Sequence, residues 1–88
     1  MAIILIIDKN PTERRVYTTL LGSYGHRFLE AEDGVQALEV ARAELPDLII
    51  TDILMPTMDG FTLARRLRAE PLLMGIPVIF QTSNYDET

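Results

Sequence analysis

Two short apolar runs that each lead into an aspartate constrain the fold of this chain more than any other feature. Residues 2–7 precede Asp8, and residues 48–51 precede Asp52. Runs of this kind are typical of parallel strands that helices cover on both faces. Open α/β sheets place their chemistry at the carboxyl ends of such strands. We therefore expect both acids at one functional edge of a sheet, with Asp52 facing solvent.

Apolar runs alternate with amphipathic segments along the chain, which predicts repeated βα units around a parallel sheet. The predicted strands are residues 2–7, 26–31, 47–51 and 77–82. Asn10 and Pro11 form a helix start, with Glu13 where a capping-box acid would stand. Helical spacing predicts three sets of inward-facing residues, namely Val16, Leu20 and Tyr24, then Val35, Leu38, Ala41 and Leu45, then Leu63, Ala64 and Leu67.

Length, charge and cysteine content exclude several classes of protein. The chain has 88 residues, enough for one small domain. Its net charge of −5 argues against nucleic acid or an anionic membrane surface as a direct partner. There is no cysteine, so neither disulfides nor thiolate metal sites are available. The apolar start is too short for a signal peptide or a membrane span, and we expect a cytoplasmic domain.

The stretch around Asp52 carries a family resemblance. The motif Asp52-Ile53-Leu54-Met55-Pro56-Thr57-Met58-Asp59-Gly60, the strand ending at Asp8, and residues 77–83 resemble the receiver domain of two-component response regulators. The resemblance runs over essentially the whole chain. It implies a flavodoxin-like, doubly wound α/β fold with strand order 2-1-3-4. The family's fifth βα unit is missing, so residues 1–88 are expected to be a receiver domain that is incomplete at its C-terminus.

The same resemblance implies a function and a site. Asp52 would accept a phosphoryl group from a histidine kinase or phosphotransfer protein, and a conformational change would relay the signal; this is a signalling module, not an enzyme. Mg²⁺ would be held by Asp8, Asp52 and the backbone carbonyl of Leu54. Thr82 would be the switch hydroxyl that bonds a phosphoryl oxygen, and Ser83 would offer its backbone N–H.

Lys9 departs from the family pattern, which usually has a second acid at this position. Seven of the eight basic residues are arginine, and Lys9 is the single lysine. Its ammonium could pair with Asp8 or Asp52 and replace the metal cation, because opposite charges a few ångströms apart favour one another. The chain would then be a receiver-like interaction domain that is not phosphorylated. Alternatively, the lysine side chain extends into solvent and leaves the metal site open.

Two enzyme or cofactor functions fit the sequence less well. A haloacid-dehalogenase-type phosphatase carries a second acid two residues after its nucleophile, where this chain has Leu54. A flavin-binding protein of this fold would need a glycine- or hydroxyl-rich phosphate loop after the first strand, where this chain has Asp8-Lys9-Asn10-Pro11.

Residues outside the predicted site have structural interpretations. His26, alone at a strand start, is expected to be structural, and Arg65, Arg66 and Arg68 are expected to form a solvated helix face. The fourth strand, residues 77–82, would be an apolar sheet edge. Such edges recruit other strands, so we expect the chain either to self-associate through strand four or to be a piece of a longer polypeptide.

Overall fold

The structure is a computed structural model that describes residues 1–82. Within these residues, four strands alternate with three helices, as the apolar runs predict. The elements are β1 (Ile3–Ile7), α1 (Pro11–Gly22), β2 (Arg27–Ala31), α2 (Gly34–Glu44), β3 (Leu48–Asp52), α3 (Gly60–Arg68) and β4 (Val78–Gln81). Each strand lies within about one residue of its predicted bounds. Thr82 follows β4 rather than ending it, and Ser83 lies outside the described residues.

The strands form one parallel sheet in the order β2-β1-β3-β4, which confirms the predicted topology. Ile7 pairs with Thr51, and Asp52 pairs with Gln81. This register brings the carboxyl ends of β1, β3 and β4 to the same edge. The side chains at the ends of these strands therefore lie next to one another, where open α/β sheets bind their ligands.

The core confirms that both faces of the sheet are covered. On one face, Leu5, Ile7 and Ile49 pack with buried residues of α2 and α3. On the other face, a smaller cluster of Ile4, Ile6 and Ile50 packs against α1. Successive residues of β1 thus point to opposite faces and are buried on both, which explains why the run is apolar throughout.

Helix α1 presents a different face to the sheet from the one predicted. Val16, Leu20 and Tyr24 are largely exposed, whereas Tyr17 and Leu21 pack against the smaller cluster. Both sets have helical spacing, and Tyr17 and Leu21 each lie one position after a residue of the predicted set. Spacing alone could not choose between them, because the direction in which the chain leaves β1 decides which stripe meets the sheet.

The other two helices follow the prediction more closely. Leu38 and Ala41 of α2 are buried, but Val35 and Leu45 at its ends are about half exposed. The helix ends because Leu45 adopts a left-handed backbone with φ of 47°. Helix α3 buries Leu63 and Leu67, as expected, while the predicted Ala64 is only partly buried; its three arginines are exposed.

Two further observations concern the margins of the sheet. His26 has the structural role expected of it, since its Nδ1 accepts a hydrogen bond from the Ala2 N–H at 3.1 Å. Strand β4 lies at one edge of the sheet with Ile79 and Phe80 partly exposed. The ring of Phe80 contacts that of Phe61 in a tilted arrangement, with centroids 4.9 Å apart. Over residues 1–82, no helix combines the length and apolar character that crossing a membrane requires.

Candidate phosphoacceptor and metal site

Asp8 is anchored at the end of β1 by hydrogen bonds to its carboxylate. Its Oδ1 accepts from the backbone N–H of Asn10 at 2.9 Å, and the side chain is buried. Asn10 in turn caps α1 by accepting from the Thr12 N–H. The predicted cap and the proline at the helix start are therefore present. The predicted capping-box role of Glu13 is wrong. Its carboxylate would accept from the N–H of Asn10, but that N–H donates to Asp8 instead.

Arg14 fixes the same turn from the helix side. Its guanidinium donates to the backbone carbonyl of Asp8 and forms an ion pair with Glu30 at 2.9 Å. The arginine side chain is only 11% exposed, so this pair is better shielded than an ordinary surface ion pair. Arg14 thus ties the β1–α1 turn to strand β2 and holds Asp8 in place.

Asp52 lies at the end of β3 and is fully buried, which corrects the expectation that it faces solvent. Neither carboxylate oxygen has a hydrogen-bond partner among the described residues. A buried charged group without partners is costly, and such groups occur at functional sites that bind an ion or ligand. Among the described residues, Asp52 is therefore the buried acid at this edge whose oxygens lack hydrogen-bond partners.

Burial raises the pKa of the Asp52 carboxyl above its ordinary value, and the nearby negative charge of Asp8 raises it further. The backbone N–H groups of Ile53 and Leu54 oppose this rise, although neither makes a well-formed hydrogen bond to the carboxylate. The positive charge of Lys9 also lowers this pKa, as the smallest of these influences. Both main causes act against the ionised form, so a cation at this site would favour ionisation.

Lys9 makes no ion pair with Asp8 or Asp52, and its side chain is exposed. Its charge acts on Asp52 only at a distance. Of the two interpretations that the sequence leaves open, direct replacement of the metal by the ammonium group has no contact to support it. The lysine therefore pairs with neither carboxylate, and within residues 1–82 the Asp52 oxygens have no partner.

The loop from β3 to α3 is fixed by a close approach of two backbone segments. A Cβ atom on Gly60 would lie 2.5 Å from the carbonyl oxygen of Asp52, so only glycine fits there. The N–H of Gly60 donates to the carbonyl of Ile53 at 2.9 Å. Asp59 caps α3 by accepting from the Thr62 N–H at 2.7 Å. Within this loop, Leu54 is 58% exposed beside Asp52.

Gln81 is the site residue that sequence reasoning missed. It is the last residue of β4, and its Nε2 donates to Oδ2 of Asp8 at 3.3 Å. The sequence feature that could have identified it is a polar amide at the end of an otherwise apolar strand. Thr82, the predicted switch residue, comes next in the chain and is exposed. The structure therefore brings Asp8, Asp52 and Gln81 together at one edge.

The residues present fit a divalent cation that prefers oxygen ligands. Asp8 and Asp52 contribute two buried carboxylates, and Asp52 has both oxygens unpartnered. Carboxylate and carbonyl oxygens with waters are the ligands that Mg²⁺ takes in proteins. Over the described part of the chain, no group of three His, Cys, Asp or Glu side chains converges on a point. The anionic part of the site is thus a pair of carboxylates, as expected when Lys9 replaces a third acid.

Comparisons of sequence point to one family. The response regulator receiver domain family matches residues 4–88. Protein PilH of Pseudomonas aeruginosa is 42% identical over 88 residues, an alignment that covers all of this chain and 73% of that protein. The sensor histidine kinase RcsC of Escherichia coli is 41% identical over 81 residues, covering 92% of this chain but only 8% of the kinase. The chain thus spans most of one relative and a small part of the other.

Solved structures agree with the sequence relatives. The N-terminal domain of a response regulator receiver protein from Methanoculleus marisnigri has a TM-score of 0.90 at 34% identity, covering 96% of this chain and 68% of that one. The receiver domain of a sensor histidine kinase from Pseudomonas aeruginosa, solved with a magnesium ion in its active site cleft, has a TM-score of 0.86 at 32% identity. That match covers 94% of this chain and 68% of the other. The chain belongs to the response regulator receiver domain family.

Proposed function

We propose that Asp52 is the residue that accepts the phosphoryl group in this phosphoacceptor receiver domain. The observation that carries the proposal is the state of its carboxylate, which is buried at the carboxyl edge of the sheet with both oxygens unpartnered. Asp8, the other buried acid of this edge, already has a hydrogen bond to each carboxylate oxygen. Asp52 is therefore the acid with oxygens free for both attack and cation binding.

In the proposed reaction, an Asp52 carboxylate oxygen forms a bond to phosphorus. The bond between phosphorus and the donor atom breaks, its electron pair stays with the donor, and an acyl phosphate results. The carboxylate must be ionised to act as nucleophile, and its raised pKa shows that the bare site opposes this. Asp52, Asp8 and the backbone carbonyl of Leu54 would hold Mg²⁺, which supplies positive charge for the carboxylates and phosphoryl oxygens when bound.

Thr82 is proposed as the group that senses the modification. It follows directly after β4, next to Gln81, which pairs with Asp52. Its hydroxyl would donate to a phosphoryl oxygen. Coupling a new charge to the position of a loop is a common way for phosphorylation to change a binding surface.

The phosphoryl donor is proposed to be a histidine kinase or a phosphotransfer protein. The proposed location of the domain is the cytoplasm. The relative RcsC is named as a sensor histidine kinase, and a segment of it is similar to this chain. The alternative of an interaction domain that is not phosphorylated depends on Lys9 occupying the cation's place, and among residues 1–82 Lys9 forms no ion pair with either aspartate. No described contact favours that alternative.

The experiment is phosphorylation by acetyl phosphate in the presence of Mg²⁺, followed by intact mass. The unmodified chain should gain one phosphoryl group, and Asp52→Asn should gain none. Asp59→Asn is the matched control, because Asp59 lies in the same motif but is exposed and caps α3, a role that asparagine also fills well. Labelling of the Asp52→Asn variant, or loss of labelling in Asp59→Asn alone, would contradict the assignment.

A further inference from the structure

Gln81 makes a contact that its position in the sheet would not lead one to expect. It lies on β4, whereas its hydrogen-bond partner Asp8 follows β1, and β3 runs between these two strands. Neighbouring strands are about 4.8 Å apart, so the two side chains and the hydrogen bond between them together bridge roughly two strand spacings, or about 10 Å. The strand that it crosses ends in Asp52, the residue with which Gln81 is paired.

We propose that Gln81 is a positioning residue that competes with Mg²⁺ for Asp8. Within residues 1–82, the Gln81 amide is the partner of Asp8 Oδ2, an oxygen that the metal would need. The hydrogen bond takes up one lone-pair direction of this oxygen and draws on its negative charge, so a cation that approaches from that side has to displace the amide. The inference rests on the proposed function, because it concerns the same pair of carboxylates.

The backbone around Gln81 is held by the pairing of β3 with β4. The N–H of Ile53 donates to the Gln81 carbonyl at 3.2 Å, which extends the pairing of β3 with β4 beyond Asp52. The side chain is partly buried rather than free in solvent. The amide therefore extends from a fixed backbone position, while the side chain itself still loses rotamer freedom when it bonds Asp8.

The size of the effect follows from the hydrogen bond that is lost on metal binding. A bond of 3.3 Å is longer than a strong charge-assisted one. Its net contribution is therefore in the range of an ordinary hydrogen bond rather than of a strong bond to a charged group, which corresponds to about a 3- to 10-fold change in an equilibrium constant. Removing the amide donor should tighten Mg²⁺ binding by that factor.

The test is Mg²⁺ titration by calorimetry of the 88-residue chain and two variants. Gln81→Met keeps the length and volume of the side chain but has no N–H to donate. Gln81→Asn keeps the amide but is one methylene shorter and cannot span the distance to Asp8. Both variants should bind Mg²⁺ about 3- to 10-fold more tightly than the parent chain. Urea unfolding of each variant checks that the fold is retained.

Three results would overturn the proposal. Equal Mg²⁺ affinity in all three proteins would show that the contact with Asp8 does not compete with the metal. Weaker binding in both variants would show that Gln81 supports metal binding, by orienting Asp8 or as a ligand, instead of competing with the metal. Absence of Mg²⁺ binding in all three would remove the competition altogether. Labelling of Asp52 by acetyl phosphate is measured separately, so failure of this proposal is distinguishable from failure of the proposed phosphoacceptor role.

Discussion

Replacing Gly60 by alanine should destabilise the domain through the backbone of Asp52 itself. The new Cβ would lie 2.5 Å from the Asp52 carbonyl oxygen and 3.1 Å from the Cα of Ile53, where ordinary contact begins at 3.4 Å. Both contacts are backbone atoms at the end of β3, so no side chain can rotate away to make room. Forcing a methyl group into such a space costs about 1–3 kcal/mol. Alanine's better helix propensity returns up to about 1 kcal/mol.

The net loss should be about 1–2 kcal/mol, which for a domain of this size lowers Tm by about 5–15 °C. Gly75→Ala is the matched control, because a Cβ there meets nothing within 4 Å. That variant should be neutral or stabilised by up to about 1 kcal/mol. Thermal unfolding followed by circular dichroism measures both. Equal stability of Gly60→Ala and the parent chain would refute the claim that this close approach fixes the β3–α3 loop.

Three further predictions concern charge and association. Without Mg²⁺, the raised pKa of Asp52 means that the free energy of unfolding falls as the pH rises above the unfolded-state pKa of about 4. Asp52→Asn should therefore gain stability relative to the parent chain as the pH rises above about 4 in urea unfolding, and a pH-independent difference would contradict this. Lys9→Asp should tighten Mg²⁺ binding about 10-fold whereas Arg66→Asp does not, and equal affinities would show that charge at position 9 is irrelevant. The 88-residue chain should self-associate at micromolar concentration in sedimentation and Ile79→Lys should reduce this, whereas a concentration-independent monomer would refute the role of the β4 edge.

The sheet topology could be predicted because its signals are local and agree with one another. Short runs that are apolar throughout are typical of parallel strands buried on both faces. Asp8 and Asp52 mark where two of these strands end. The face of α1 could not be predicted, because Tyr17 with Leu21 and Val16 with Leu20 have the same spacing. Only the packing of the helix on the sheet distinguishes them.

The chemical state of the site was harder to predict than its location. The burial of Asp52 depends on groups that come together only in the folded chain, including Gln81 from the neighbouring strand. Lys9 has a long, flexible side chain, so its position in the sequence does not determine whether it meets Asp8 or extends into solvent. Contacts between distant parts of the chain decide both questions, and no sequence pattern records them.

The most direct test of the central claim is to locate the phosphoryl group on the unmodified chain. After phosphorylation in the presence of Mg²⁺, borohydride reduction converts the acyl phosphate to a stable alcohol, and peptide mass spectrometry identifies the residue. The reduced side chain should be found at position 52 alone, where both carboxylate oxygens are unpartnered. A reduced side chain at Asp8 or Asp59, with position 52 unchanged, would contradict the account.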